Sequence, residues 1–557
     1  MKRIVTLDVI RGSCIIVMVA VHVFAAIFDK SWVGTDEMSS KTLLDILFLL
    51  FVAYLGGMTG LFLMVSTIAH TITIREQLKE GRNLTEVMVR QLISGIMLLV
   101  FAFLVESTIG YHGFMGRMAN YDPFGTQDFV SVLSNNLERI YYRGFHFMTL
   151  HTIAWSIIIN TFVQWCLYKR SGISKLRRDT RIYVVLIVAV ILLTPFAWKF
   201  AGMVVHGYPF ETYPGSDRMV QYPLEGTSSP LDLLVLFFLG PLAGQTEPLF
   251  PFLFIAFIGA IIGMHLSRDR LPQDLCKKGI SMGAYLILVG FFGLQLMWYL
   301  GLDSWTNLSR NAFSIQLLGA WMPMMLLTLG GQLVIVFLML RLVEFRGITK
   351  GFAKWTKMIR MFGAVSLTIY TFHYLDALPR FLLDFVPGVD VFGSRDGLIT
   401  TLMVMFIILI MWGLLLHYWA KIYFVLSVEW GFSKVLGAIS RLMSHGPHKG
   451  TRDKERWYHV PKLDLFSRKE KVQWIEFVRD EPKGRRGRRD IGLSLALSIA
   501  GLFFLPFAVI SYFISRDRMK KGWGDRRSRY ALLLSKIGIL VGVIKLLILS
   551  IAQNVVI

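Results

Sequence analysis

Three ionisable residues stand in an apolar stretch near the amino terminus: Asp8, Arg11 and His22. On an α-helix, Arg11 and His22 differ by only about 20° around the axis, and Asp8 and His22 by about 40°, so all three project from one face. Arg11 and His22 are roughly 16 Å apart along that axis. A fixed cation and a titratable base at this separation suit a substrate that is anionic at one end and reactive at the other.

Two interpretations of this helix stay open from spacing alone. Ionisable side chains inside a membrane-spanning helix are costly, which makes them functional candidates by default. Alternatively, Asp8 and Arg11 form an ion pair three residues apart that anchors the helix at the inner membrane surface. In that case His22 is a hydrogen-bonded packing residue.

The elements that carry these residues are predicted from the apolar blocks of the chain. Of 557 residues, 54% are hydrophobic and 17% are charged, whereas about a quarter are charged in soluble proteins. Apolar blocks of roughly 18 residues or more can cross a hydrocarbon core of about 30 Å. We therefore predict an all-α, polytopic transmembrane bundle of about ten core helices plus a carboxy-terminal two-helix hairpin. The core helices are predicted near residues 9–28, 45–69, 92–109, 146–168, 182–202, 249–267, 280–301, 321–343, 361–378 and 398–420.

The distribution of basic residues predicts orientation and domains. The loops at 71–91, 169–181, 268–278 and 344–360 are basic, which predicts a multi-pass protein of the cell membrane with a cytoplasmic amino terminus. The predicted domains are a transmembrane domain at 1–443, a basic cytoplasmic linker at 444–490 and a hydrophobic helical hairpin at 491–557. Residues 422–443 are amphipathic and are predicted to lie along the membrane surface. An apolar piece at 231–243 is predicted to be re-entrant or interfacial.

The net charge of +22 fits cytoplasmic loops that face anionic lipid head groups. No basic groove interleaved with stacking aromatic residues is present in the sequence, so nucleic acid is not an expected partner. Cys14, Cys166 and Cys276 form neither a disulfide framework nor a metal-spaced cluster, and no metal is expected.

Several motifs resemble the membrane acyltransferase superfamily, which includes the acyltransferase-3 family, the heparan-α-glucosaminide N-acetyltransferase-like proteins and related bacterial membrane families. The resemblance covers about residues 1–443. Its main elements are Arg3-x-x-x-Leu7-Asp8-x-x-Arg11-Gly12 followed by His22, and Gly363-x-x-Ser366-Leu367-x-x-Tyr370-x-x-His373. Looser similarities occur at Leu150-His151-x-x-Ala154, at Leu249-Phe250-Pro251 followed by Gly259 and Gly263, and at Val428-Glu429-Trp430 followed by Arg441.

The resemblance implies acyl transfer across the membrane. The acyl group, commonly acetyl, would come from cytoplasmic acyl-CoA (acetyl-CoA as co-substrate) and go to a hydroxyl or amine of an extracytoplasmic glycan or small polar acceptor. It implies that Arg11 holds the phosphate-rich donor, that Asp8 orients it, and that His22 is the general base or transient acyl carrier. The guanidinium fork suits phosphate, and a neutral imidazole accepts and returns a proton.

Four further residues are candidates for the same site. His151, near the start of the fourth helix, is predicted either to face the cavity of His22 or to pack near the outer interface. His373, with Tyr370 one turn before it, is predicted on the acceptor side. Glu106, near the outer end of the third helix, is a candidate partner of a basic residue; Arg117, Arg139 and Arg143 are nearby in sequence.

Two other function classes remain as alternatives. A proton-coupled transporter or flippase of a small amphiphile would use Asp8, Arg11 and His22 as a proton path. No repeated half or matched pair of interrupted helices supports it. A non-catalytic assembly factor would act through the basic tail. The expected partners are membrane lipids and the acceptor, with a homodimer as one assembly to test.

Overall fold

The computed structural model describes residues 2–33, 36–37, 41–121, 148–204, 237–243, 247–268, 271, 274–299, 321–385, 397–443, 473–474, 511–513, 515–516 and 529–540. Over these residues the prediction of an all-α polytopic bundle is confirmed, and the protein is a multi-pass membrane protein. In this part of the chain, nine helical segments are long and apolar enough to cross a membrane. They are Val5–Ile27, Leu43–Lys79, Leu84–Gly116, Thr149–Arg170, Leu176–Ala197, Leu249–Leu266, Leu275–Met297, Met322–Arg346 and Leu398–Ile422.

Helices dominate because a helix satisfies its own backbone hydrogen bonds, as a lipid environment requires. The first eight are α1 Val5–Ile27, α2 Leu43–Gly56, α3 Thr59–Lys79, α4 Leu84–Leu104, α5 Phe114–Tyr121, α6 Thr149–Ser171, α7 Leu176–Val204 and α8 Leu249–Leu266. The others are α9 Leu275–Tyr299, α10 Trp321–Leu342, α11 Thr349–Trp355, α12 Lys357–Ala364, α13 Ser366–Phe372, α14 Ala377–Leu383, α15 Leu398–Trp419 and α16 Val428–Met443. Short 3₁₀ turns lie at Gly240–Ala243, Glu344–Arg346, His373–Asp376 and Ala420–Ile422.

Helix α1 is central to the bundle, with α2, α3, α10, α11, α12, α13 and α15 all packed against it. A second group forms around α8, which contacts α3, α6 and α7 and is almost entirely buried. Gly259 and Gly263 lie against the backbone and threonines of α3, because small residues let membrane helices approach closely. The candidate residues on α1 are therefore enclosed by protein on several sides.

The prediction of one continuous helix at 361–378 is wrong. The segment is broken into α12, α13, a 3₁₀ turn and α14, with non-helical backbone at Val365 (φ −119°, ψ 41°) and Phe372 (φ −108°, ψ 14°). The first break frees backbone N–H groups at the start of α13, and a carboxylate from α16 binds them, as described below. The span predicted at 45–69 is also two helices, α2 and α3, which meet at Gly57 and Met58.

The amino-terminal end of α1 is held by two distant segments. Glu344, which is fully buried, accepts hydrogen bonds from the Thr6 backbone N–H (2.8 Å) and hydroxyl (2.5 Å). Lys2–Arg3 pairs in parallel with Gln473–Trp474 as two-residue strands β1 and β2. Because the free N–H groups of the first turn are costly to leave unpaired, Glu344 acts as a helix cap from a distant 3₁₀ turn.

The chain divides into two compact units, Met1–Phe477 and Val478–Ile557. The first unit includes β2, which lies beyond the predicted boundary at 443. In the second unit, residues 511–513, 515–516 and 529–540 are helical, and they lie within the hairpin predicted at 491–557. The rest of the hairpin, most of the linker and residues 231–236 lie outside the described residues.

Candidate functional site

A cavity of about 420 Å³ runs alongside α1. Four of the predicted residues line it: His22, Glu106, Tyr370 and His373. Much of the remaining wall is apolar and comes from α1, α2, α3, α10 and α13. Its volume is within the range of about 300–1,000 Å³ that is typical of small-molecule sites.

His22 and His373 are in direct contact in this cavity, with ring centroids 4.7 Å apart and an angle of 67° between the rings. His22 Nδ1 lies 2.9 Å from the Met18 carbonyl oxygen, and His373 Nδ1 lies 2.7 Å from that of Tyr370. A carbonyl oxygen only accepts, so each Nδ1 carries the hydrogen and each Nε2 is left with a lone pair. His373 Nε2 is buried without a hydrogen-bond partner among the described residues. The cavity therefore holds two imidazoles in the tautomer of a base.

Tyr111 and His112 complete the aromatic cluster, and the sequence did not identify either one. The Tyr111 ring stacks on His373 at 4.4 Å with an angle of 9° and meets His22 edge-on at 4.9 Å. His112 lies 6.0 Å from His22. Both residues lie in the short bend after Ile109, within the segment Leu84–Gly116. The adjacent Tyr and His residues near the end of the predicted helix at 92–109 were the available indication in the sequence.

Glu106 lies at the same end of the cavity, on a π-helical turn, Val105–Ile109, that continues α4. It is 1% exposed and accepts a hydrogen bond of 3.3 Å from the Tyr370 hydroxyl. Such turns occur frequently at functional sites because the wider turn reorients side chains. Of its predicted basic partners, Arg139 and Arg143 lie outside the described residues, and so does the side chain of Arg117.

A second carboxylate, Glu247, also lines the cavity and was missed by the sequence analysis. It precedes α8 and is buried. Burial raises the pKa of Glu247, while a hydrogen bond from Thr149 acts in the opposite direction. Together with Glu106, it makes one end of the cavity polar and acidic.

Arg11 lies at the opposite end of the site. Its Nε donates a hydrogen bond of 3.2 Å to Ser366 Oγ, and Ser366 lines the cavity although Arg11 itself does not. Asp8 pairs with Arg3 at 2.7 Å. The alternative in which Asp8 forms its ion pair with Arg11 is therefore wrong. The Asp8–Arg3 pair leaves Arg11 bound to a neutral hydroxyl.

Close contact between α1 and α12 brings Ser366 to Arg11. A Cβ atom on Gly363 would lie 2.8 Å from the Asp8 carbonyl oxygen and 3.0 Å from the Gly12 nitrogen. A Cβ atom on Gly12 would in turn collide with the Ile359 carbonyl group. Only glycines at both positions allow this approach, which explains the physical role of two residues in the quoted motifs.

His151 is not brought to the cavity wall. It is 2% exposed inside α6, and its Nδ1 accepts a hydrogen bond of 3.5 Å from the Met148 N–H. Its neighbours Met148, Thr149 and Leu150 line the cavity instead. The geometry thus favours the packing interpretation of His151.

A scan against protein-family models matches no family, and a search of curated proteins finds no significant match. The site combines an arginine at one end, two contacting imidazole bases at the other and an apolar wall between them. It is suited to proton transfer or nucleophilic attack on a ligand whose anionic part lies near Arg11.

Proposed function

We propose that this protein is an integral-membrane acyltransferase. It would take an acyl group, acetyl in the simplest case, from acyl-CoA on the cytoplasmic side. The acceptor would be a hydroxyl or amine, such as that of a glycan, on the far side of the membrane. The proposal rests on the two ends of the cavity. Ser366, which is hydrogen-bonded to Arg11, lies at one end, and the contacting imidazoles of His22 and His373 lie at the other. The basic loops support a cytoplasmic amino terminus, which would put Arg11 on the donor side.

In the proposed reaction, Arg11 binds a phosphate of the donor through its guanidinium. In this reaction the nucleotide of the donor binds outside the cavity, and the acyl-bearing arm enters along the apolar wall. His22 Nε2 takes the proton from the acceptor hydroxyl or amine as its oxygen or nitrogen attacks the thioester carbonyl. The carbon–sulfur bond breaks, and the proton is returned to the departing thiolate. His373 and Tyr111 hold the His22 ring in place.

The test uses purified protein in nanodiscs with acetyl-CoA labelled in the acetyl group. Release of free thiol and retention of label are measured for the wild type, His22→Ala, His373→Ala and the matched control His417→Ala, which changes an exposed histidine of α15. Because general-base catalysis contributes about 10²- to 10⁴-fold, His22→Ala should lose at least about 10²-fold in thiol release, and His417→Ala should retain wild-type rates.

Absence of both turnover and saturable binding in folded wild-type protein, with several acyl donors, would refute the acyltransferase proposal. The transporter alternative would then be tested by proton-gradient-driven uptake into liposomes.

A further inference from the structure

A carboxylate from helix α16 binds the start of α13, beside the donor end of the site. Glu429 Oε1 accepts hydrogen bonds from the backbone N–H groups of Leu367 (2.5 Å) and Thr368 (3.4 Å), and its Oε2 accepts one from the Thr368 hydroxyl (2.7 Å). In return, the Thr368 hydroxyl oxygen accepts a hydrogen bond of 2.9 Å from the Val428 N–H. The starts of α13 and α16 are therefore bound to each other in both directions.

The turn that delivers Glu429 has a strained backbone. Tyr423, Phe424 and Leu426 have φ values of 59°, 52° and 70°, a region that non-glycine residues seldom adopt. Phe424 is fully buried, and the Trp419 indole donates a hydrogen bond of 2.9 Å to the Val425 carbonyl oxygen. Strained residues persist only where the surrounding structure holds them, so the packing of this turn fixes where α16 begins.

The contact between Glu429 and the start of α13 is linked to Arg11 through Ser366. Leu367 is held by Glu429, and its neighbour Ser366 holds the Arg11 Nε. Within the described residues, Nε is the one guanidinium atom of Arg11 that is hydrogen-bonded to protein, which leaves the two Nη groups for an anionic ligand. Burial raises the pKa of Glu429, while its hydrogen bonds and the positive charge of Arg11 act in the opposite direction. Arg11 and Glu429 are thus electrostatic neighbours whose hydrogen bonds go to Ser366 and to the start of α13, respectively.

We propose that Glu429 is a positioning residue for donor binding, holding the Ser366–Thr368 turn so that Ser366 orients Arg11 toward the donor phosphate. The inference rests on the proposed function for the identity of the anion. It differs from a purely electrostatic role. A counter-charge would oppose an anionic donor, so neutralising it would strengthen binding, whereas loss of a positioning contact weakens binding.

The experiment is equilibrium dialysis of acetyl-CoA, labelled in the acetyl group, against purified protein in nanodiscs. The concentration of free acetyl-CoA that half-saturates the protein is recorded as the binding midpoint. Thermal unfolding in detergent verifies that each variant is folded.

Glu429→Ala and Thr368→Val should each raise the midpoint about tenfold, which is the order expected for loss of a hydrogen bond to a charged group. Glu429→Gln should stay within about threefold of wild type, because its amide oxygen still accepts from Leu367. Thr368→Val retains the Glu429 side chain but removes the hydroxyl that donates to it, and so tests the contact from the other side if Glu429→Ala does not fold.

Equal midpoints in wild type, Glu429→Ala and Thr368→Val would overturn the positioning role and leave the proposed function intact. Lower midpoints in both Glu429→Ala and Glu429→Gln would instead assign Glu429 as a counter-charge and also overturn it. No saturable acetyl-CoA binding in folded wild-type protein would overturn this inference together with the proposed function.

Discussion

Replacing Gly12 by alanine tests the packing that places Ser366 beside Arg11. A Cβ atom at this position would lie 2.8 Å from the Ile359 carbonyl carbon and closer still to its oxygen. Ordinary van der Waals contact begins at 3.4 Å, so the carbonyl carbon alone requires α1 and α12 to separate by at least about 0.6 Å, as an overpacked contact must relax by moving apart. That movement would stretch the Arg11–Ser366 bond of 3.2 Å past the limit of about 3.5 Å for hydrogen bonding.

Two losses are expected for Gly12→Ala. Overpacking of this kind costs about 1–3 kcal/mol of the free energy of unfolding, which thermal unfolding in detergent would register as a lower Tm. If Ser366 no longer orients Arg11, the loss of a hydrogen bond to a charged group costs about 1.5–3 kcal/mol. Acetyl-CoA affinity in equilibrium dialysis should therefore fall roughly 10- to 150-fold.

The matched control is Gly413→Ala in the interior of α15, where an added Cβ meets nothing within 4 Å. Alanine is favoured over glycine there by up to about 1 kcal/mol, so the Tm should be unchanged or higher and acetyl-CoA affinity unaffected. If Gly12→Ala behaved like Gly413→Ala in both measurements, the close approach of α1 and α12 would not be what orients Arg11, and the reasoning would be refuted.

Two further changes test the aromatic cluster and the helix cap. Tyr111→Ala removes the ring stacked on His373, an interaction worth about 0.5–1.5 kcal/mol. Thiol release should therefore slow about two- to tenfold, whereas Tyr111→Phe should release thiol at nearly the wild-type rate. Equal rates in the two variants would exclude a role for stacking. Glu344→Ala leaves the Thr6 N–H and hydroxyl buried without their acceptor, at a cost of about 1–3 kcal/mol each in the free energy of unfolding. The Tm should therefore fall markedly, whereas Glu344→Gln should keep a Tm close to that of the wild type. A wild-type Tm for Glu344→Ala would contradict the capping role.

Much of the bundle is predictable from sequence because long apolar blocks have few alternatives in a membrane. The nine described spans each overlap a predicted one. Helix α1 is continuous from Val5 to Ile27, so the face shared by Arg11 and His22 follows directly from helical periodicity.

The break within 361–378 was not predictable in the same way. Its residues are apolar enough for a helix, and the cause of the break lies about sixty positions later, in the carboxylate of Glu429 that binds the freed N–H groups of Leu367 and Thr368. Hydrogen bonds between residues so distant in sequence depend on the packing of α16, which local propensity does not contain.

By itself, the sequence determined the helical class, most of the spans, and the presence of Arg11 and His22 on one face of a single helix, since these follow from hydropathy and from the geometry of a regular helix. Only the tertiary structure decided that Asp8 pairs with Arg3, that His373 and Tyr111 contact His22, that Glu106 and Glu247 share their cavity, and that His151 lies outside its wall. The physical reason is that a side chain's partner is set by which helices pack together and how closely, and here that closeness depends on the Gly12–Gly363 contact between segments 351 residues apart.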